Sequence, residues 1–350
     1  MDGYQMEKSH SMEKGYSIQK KVGIWKLFEQ IDAGSNVSLA VNTEECKVLR
    51  LEDHSGDGIM TVYQVFDGVF LMYNDFHLRE CVSGFQGAET ILAIDHCREG
   101  RVEQVNELGQ VYYMEPGNLR IDRRVHHAGH VSFPLCHYHG ITIGFELGAA
   151  QDSLKNAMEG IEIDLEALAE RYCPQEKAAI IQGNPAIEAL FYQLYHFHGN
   201  VRLDYFKVKV MELLLYLNDM EETDMRLEKP YFYSGQVKKV KAIHELITTD
   251  MAGNYTLDEL SRRFDIPLTS MKQCFKSIYG NSIHAYLKEY RIHQAAILLK
   301  MKRDMSVSEI GLTVGYTSPG KFSAAFKEAL GKTPLEYRES SEIGESDYEK

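Results

Sequence analysis

MSVSEIGLTVGYTSPGKFSAAFKEALGKTPLEYR, residues 305–338, reads as two short helices joined by a tight turn. Ser306 with Glu309 makes an S-x-x-E capping box, which satisfies the free backbone N–H groups where a helix starts. Ile310 and Val314 recur at i and i+4, one apolar stripe. Gly315 follows, a residue able to take the left-handed conformation that ends a helix. Ser318 and Pro319 restart the helix as N-cap and first helical residue. Phe322, Phe326 and Leu330 give the second helix an apolar seam, and Gly331 stops it. Helix, glycine-containing turn, helix is the plan of a DNA-reading helix-turn-helix.

The same plan stands about 50 residues earlier. Thr256 and Glu259 form a second capping box, Leu260 and Phe264 are the stripe, and Pro267 precedes the next helix. FKSIYG at 275–280 returns as FKEALG at 326–331, and Tyr286 and Tyr337 each lie six residues past the closing glycine. Residues 283–299 between the copies are helical in pattern, about 26 Å of connector at 1.5 Å per residue. A connector of that length spaces two recognition helices by about one DNA turn, roughly 34 Å. Phe322, Phe326, Leu260, Phe264, Met271 and Phe275 are core whatever the domain does. A lone helix-turn-helix pattern also marks ordinary helical corners, but two copies with matched caps and stops favour the DNA-binding reading.

On these residues, 236–338 resembles the DNA-binding domain of AraC/XylS-type transcription regulators. The specific part is G-Y-x-S (315–318), F-x-x-x-F-K (322–327) and G-x-x-P-x-x-Y-R (331–338). The resemblance implies a seven-helix bipartite fold that binds promoter DNA, with RNA polymerase as a further partner. The residues it brings to DNA are Thr269, Ser270, Lys272, Gln273 and Lys276 in the first unit, and Ser318, Gly320, Lys321, Ser323 and Lys327 in the second. Gly320, Lys321 and Ala324 depart from the family, whose reading face usually carries larger polar or basic side chains there.

The net charge of −13 argues against nucleic acid until it is divided along the chain. Residues 236–338 hold 16 Lys/Arg against 10 Asp/Glu, a net +6, whereas residues 1–235 carry −15 and residues 339–350 carry −4. The basic part is the part that would meet phosphate. Six cysteines are scattered with no C-x-x-C, and the first 20 residues are polar, so reduced thiols in a soluble, cytoplasmic protein are expected. No apolar run approaches the ~20 residues of a membrane span.

The expected fold class is α+β multidomain: a cupin-like β-barrel with following helices, then an all-α double helix-turn-helix. Short strands at Gly-rich turn spacing give the barrel to residues 1–150. Within it, 90–97 is expected to pair with 102–106 across Arg98-Glu99-Gly100, and 111–114 to turn at Glu115-Pro116-Gly117-Asn118 into 119–125. Helices are expected at 165–172, 185–197 and 201–218 within a helical packing or dimerisation segment, 151–220. The last carries apolar residues on more than one face, so it reads either as a partner-binding helix of a homodimer or as fully buried. Residues 221–235 read as a linker and 236–340 as the DNA-binding domain. A barrel and helices ahead of such a domain resemble the sensor half of that family, an architectural likeness without a diagnostic motif.

RRVHHAGHVSFPLCHYHG at 123–140 holds His126, His127, His130, His137 and His139. His137 and His139 share strand phase with Ile141, Ile143 and Phe145, which is expected to put them on the inward apolar face. Three readings stay open: metal ligands in an H-x-H pattern, polar groups of an effector pocket (His126, His127, His137, His139), or satisfied core histidines. Glu146 lies on the opposite face from His139 and fits a metal-cupin ligand set poorly, so neither a metal nor another cofactor is assigned. Asp95, His96, Arg98 and Arg101 read as a salt-bridged hairpin turn. The leading expectation is a non-enzymatic transcription regulator that binds double-stranded promoter DNA and responds to a small-molecule effector in the barrel. The rival is a metal-binding cupin-type enzyme or metal sensor fused to a DNA-binding domain.

Overall fold

The computed structural model describes Trp25, Phe28 and residues 36–82, 91–105, 109–124, 130–157, 159–197, 199, 202–221 and 231–343. His126, His127 and most of the expected linker lie outside the described residues. The N-terminal half holds strands β1 (Val37–Asn42), β2 (Cys46–Asp53), β3 (Gly56–Phe66), β4 (Val69–His77), β5 (Glu80–Val82), β6 (Ile91–Gly100), β7 (Val102–Val105), β8 (Gln110–Met114), β9 (Leu119–Asp122), β10 (His130–Ser132) and β11 (Tyr138–Glu146). With β12 (Ala179–Ile181) and β13 (Phe232–Tyr233) they form two sheets, ordered β1-β2-β3-β4-β11-β6-β9-β12 and β13-β8-β7-β10-β5. Residues of both sheets share one apolar cluster, with Val62, Phe70, Phe76, Cys97 and Tyr138 from the larger and Cys81, Val102 and Met114 from the smaller. Two antiparallel sheets thus share a common interior in the N-terminal half, the sheet-rich architecture expected of it.

Two expected hairpins are absent. β6 pairs with β11 and β9, while β7 pairs with β8 and β10, so the chain leaves one sheet for the other at Gly100, φ +82°. A Cβ there would lie 2.1 Å from the His137 carbonyl oxygen, so only glycine makes this crossing. Likewise β8 and β9 flank the Glu115–Asn118 turn without pairing with each other. Both turns are corners between sheets, and the salt-bridged hairpin expected at 95–101 is corrected accordingly: its residues go to different neighbours.

The larger sheet is buried on both faces. Its outer face packs on α1 (Leu147–Ala157), α2 (Leu165–Tyr172), α3 (Pro185–Tyr195) and α4 (Arg202–Asp219), in a cluster that includes Leu71, Ile94, Ile121, Ile141, Ile143, Phe145, Phe191, Val210 and Leu213. The strand begins at Tyr138, so His137 precedes it, and Ile141, Ile143 and Phe145 face the helices rather than the barrel interior expected from the sequence. Gly144 faces the barrel, where a Cβ would strike the Phe70 ring at 2.1 Å. On α4, Phe206, Val210, Leu213 and Leu217 are buried, whereas Val208 and Leu215 are exposed, so one face packs and the other is open.

Charge inside the barrel is paired. Arg124 Nη2 donates to both Asp95 carboxylate oxygens at 2.7 Å, Thr142 Oγ1 donates to Asp95 at 2.8 Å, and Arg120 bridges Asp95 and Asp122 at 3.4 and 2.6 Å. Burial by itself would raise the Asp95 carboxyl, but Arg124, Arg120 and Thr142 hold it below the ordinary carboxylate value. On the outer face His96 stacks on Phe191 with centroids 4.1 Å apart and is hydrogen-bonded through Nδ1 to Tyr195 Oη at 3.0 Å.

Burial lowers His96 from the ordinary 6.5 to about 4, and does the same to His244. Both imidazoles stay neutral in the fold while the unfolded chain takes up protons below about 6.5. Stability is therefore expected to fall as pH drops from about 6.5 to about 4. Denaturant midpoints measured at several pH values check this, and His96→Phe with its lost proton uptake should flatten part of the slope.

Seven helices follow: α5 (Ser234–Thr249), α6 (Leu257–Arg263), α7 (Leu268–Tyr279), α8 (Ile283–Met301), α9 (Val307–Thr313), α10 (Pro319–Leu330) and α11 (Pro334–Ile343). Helix α5 starts two residues before the expected domain boundary, and Phe232 just ahead of it is buried.

Candidate nucleic-acid interface

Both helix-turn-helix units form as their local chemistry dictates. Thr256 Oγ1 accepts from the Glu259 N–H while the Glu259 carboxylate accepts from the Thr256 N–H, and Ser306 and Glu309 repeat the exchange. Each unit then turns through one left-handed residue, Asp265 at φ +47° in the first and Gly315 at φ +90° in the second. α7 and α10 end on Gly280 and Gly331, both left-handed. The repeat extends to side chains: Phe275 meets Tyr286 edge-on at 5.6 Å and 78°, and Phe326 meets Tyr337 at 5.4 Å and 75°.

The connector α8 is 19 residues long, roughly 28 Å at 1.5 Å per residue. Its first half, Ile283 and Leu287, belongs to the core of the first unit; Ile292, Ala295, Ala296 and Leu299 belong to the core of the second. Arg291 at its middle donates from Nε to Met251 O at 2.6 Å and from Nη2 to Gly253 O at 3.0 Å. Arg291 thus ties the connector to the loop between α5 and α6. Lys288 adds an exposed pair with Glu328 of α10 at 2.7 Å.

Met271, Cys274, Phe275 and Ile278 of α7 are buried, and Thr269, Lys272, Gln273 and Lys276 are exposed, with Ser270 half-buried. On α10, Phe322, Ala325 and Phe326 are buried, Gly320, Lys321 and Lys327 are exposed, and Ser318 and Ser323 are half-buried. Ser318 is partly committed as N-cap, since its hydroxyl accepts from the Lys321 N–H at 3.4 Å. Arg262 and Arg263, absent from the residues expected from the sequence, are exposed in the last turn of α6, the helix that precedes α7, and that position in a capped helix was the available signal.

The inner side of the first unit docks on the barrel. β13 pairs with β8, Phe232 opposite Val111, and Ser234 Oγ donates to Gly109 O at 2.8 Å. Val111 and Tyr113 of β8 are buried in one cluster with Val237, Val240, Met271 and Cys274. Glu103 Oε2 accepts from Tyr113 Oη at 2.8 Å and pairs with Lys241 Nζ at 2.7 Å. Arg101 pairs with Glu115 at 3.1 Å and donates to Ser277 O of α7 at 3.0 Å. The buried face of α7 thus touches the barrel while its outer face is exposed.

Of the expected effector histidines, His126 and His127 lie outside the described residues, and His137 and His139 do not line the barrel. His137 precedes β11 and its Nδ1 is 3.1 Å from Leu135 O; His139 stands on the outer face opposite Asp75. The polar groups that do face the interior are Asn74, Asp95, Arg120, Asp122 and Thr142, with Arg124 joined to Asp95. Arg120 Nε is buried without a hydrogen-bond partner among the described residues. No helix of the described residues is long and apolar enough to cross a membrane.

The model of a family described as "Helix-turn-helix domain" matches residues 260–340. The HTH-type transcriptional regulator ExsA of Pseudomonas aeruginosa is 34% identical over 88 residues, 25% of this chain and 31% of that protein. The HTH-type transcriptional regulator MtrA of Neisseria gonorrhoeae is 29% identical over 127 residues, 36% of this chain and 42% of that protein. The matched segment thus spans well under half of these relatives' own length. Among solved structures, the C-terminal domain of AraT, a response regulator from Geobacillus stearothermophilus, aligns at 27% identity and a TM-score of 0.28, covering 29% of this chain and 84% of that one.

Proposed function

We propose that this chain, whose C-terminal domain is a helix-turn-helix domain of the AraC/XylS type, is a sequence-specific transcription regulator of double-stranded promoter DNA that answers to a small-molecule effector. The observation that carries the reading is the pair of capped, basic-faced helix-turn-helix units held in one orientation by α8 and Arg291. In this reading 236–340 binds DNA, 1–150 senses the effector, 151–220 packs and dimerises, and 221–235 links them. Lys272, Gln273, Lys321 and Ser323 reach base edges, with Thr269, Ser270, Lys276, Ser318, Gly320 and Lys327 along the backbone. Dimerisation uses the open face of α4 at Val208 and Leu215, and RNA polymerase is a further partner in the cytoplasm.

We place effector binding in the barrel interior because Arg120 Nε is buried there without a hydrogen-bond partner among the described residues, beside the donors of Arg120 and Arg124 that Asp95 and Asp122 already hold. The rival metal-cupin enzyme loses its ligands, because His137 and His139 stand outside that interior. The α7–barrel contact supplies the coupling: an effector that favours one arrangement of Arg101, Glu103 and Lys241 shifts the placement of the reading helix.

Selection of binding sites from a random DNA pool tests the reading. The full chain should enrich two neighbouring segments one turn apart, and Gln273→Ala should relax preference at one base position by about 1–3 kcal/mol. Lys276→Ala should instead weaken all sequences alike. A Gln273→Ala profile identical to that of the parent chain overturns the assignment of that residue.

A further inference from the structure

We propose that Asp75, His77 and His139 form a binding site for a first-row divalent transition-metal ion such as Zn²⁺, on the outer face of the larger sheet. Asp75 and His77 are two apart on β4 and so share a face, and His139 of β11 pairs directly opposite Asp75. On the same face Tyr73 is covered, its hydroxyl donating to Leu194 O at 2.8 Å; the three residues lie where that helical cover ends. His77 Nε2 and His139 Nε2 each stand 2.9 Å from the same oxygen, Asp75 Oδ1. The potential ligand atoms of all three lie within 4.8 Å of one another. Ligand bonds of about 2.0–2.2 Å set neighbouring donor atoms about 2.9–3.5 Å apart, so little movement is needed to admit an ion.

Two further features point to a ligand rather than to a surface ion pair. His139 Nε2 is shielded from solvent and makes no hydrogen bond despite its approach to Asp75, so the 2.9 Å contact is misaligned for one. Its other nitrogen, Nδ1, lies 3.5 Å from Glu99 Oε2. A carboxylate on Nδ1 fixes the tautomer that leaves Nε2 free to ligate, the usual outer support of a metal-bound histidine. Two imidazoles and one carboxylate select zinc, nickel, cobalt, copper or iron over magnesium and calcium, which prefer all-oxygen shells. Asp75 and His77 are exposed, which leaves the remaining positions to water. Such an ion would bolt β4 to β11 at His139, which pairs opposite Glu99, two residues before Arg101 and its contact with α7. The site is independent of the DNA-binding reading.

The test uses the tag-free full chain, stripped with chelator and titrated with Zn²⁺ by calorimetry. One ion per chain is expected at this site, together with a rise in thermal unfolding midpoint on adding Zn²⁺ but not Mg²⁺. His77→Ala and Asp75→Ala, both at exposed positions, should lose that equivalent while keeping the circular dichroism of the parent. Glu99→Gln should weaken it about 10–100-fold. Co²⁺ in its place should show ligand-field bands without a thiolate charge-transfer band. Absence of binding, binding that both substitutions leave unchanged, or a thiolate band placing the ion on cysteine would each overturn the proposal.

Discussion

Raising monovalent salt from about 50 to about 200 mM is expected to weaken binding of the full chain to its DNA site by about 10³–10⁵-fold, the loss for roughly 6–10 neutralised phosphates. Arg262, Arg263, Lys276 and Lys327 are exposed cations that would meet phosphate, and the charges that Lys272 and Lys321 bring to the groove add to the neutralisation, giving the lower end of that range. The −15 carried by residues 1–235 works in the other direction. It repels the duplex beyond the contact zone, an effect that salt also screens. The slope of log affinity against log salt should therefore be slightly shallower for the full chain than its contact number alone would give. Titrations at four or five salt concentrations measure it, and an affinity indifferent to salt would remove the phosphate contacts from the proposal.

The residues behind that expectation were legible because their chemistry is local. A capping box needs residues three apart, and 256/259 and 306/309 are visible as strings; the structure makes both bonds of each box. The apolar periodicity that put Met271 and Phe275 inside also put Lys272 and Gln273 outside, and burial agrees. The barrel was legible as a class but not as a pairing. Strands 91–100 and 102–105 look like a hairpin because they adjoin, yet their partners lie elsewhere, β11 for one and β8 for the other. Nothing near Gly100 states that the chain changes sheets there.

Parity failed for a different reason. Alternation on β11 separates two faces, and both are buried, so apolarity cannot say which one looks into the barrel. The telling residues were Gly140 and Gly144, which yield space to the rings of Tyr138 and Phe70. β12 and β13, with three and two residues, fall below any periodic signal. Arg101 and Glu103 find partners about 140–176 residues away, and His139 finds Asp75 across 64. The D-x-H spacing of Asp75 and His77 was the readable half of that last pair, since it places both on one face of a strand.

Replacing Gly315 by alanine is expected to destabilise the second helix-turn-helix unit by about 2–5 kcal/mol, far more than the same change at Gly331. Both glycines are left-handed, φ +90° and +74°, so each alanine carries a conformational cost of about 1–2 kcal/mol. They differ in surroundings. A Cβ at Gly331 meets nothing within 4 Å, whereas one at Gly315 meets Met251 O and Arg291 Cζ at 2.9 Å and Ala252 Cα at 3.0 Å. Two of those three atoms are backbone, and the third belongs to the guanidinium that holds Met251 O and Gly253 O, so none can yield cheaply. Overpacking of this kind typically adds about 1–3 kcal/mol. Relief of the clash would push the second unit away from the 251–253 loop, and with it the orientation that lets both reading helices reach one face of a duplex. Denaturant unfolding of the two variants isolates the packing contribution, because the backbone strain is common to both. Gly315→Ala should also lose binding to a two-segment site while Gly331→Ala retains most of it. Equal destabilisation of the two variants would mean that the loop gives way and that the contact of Gly315 with Arg291 and Met251 does not set the spacing of the units.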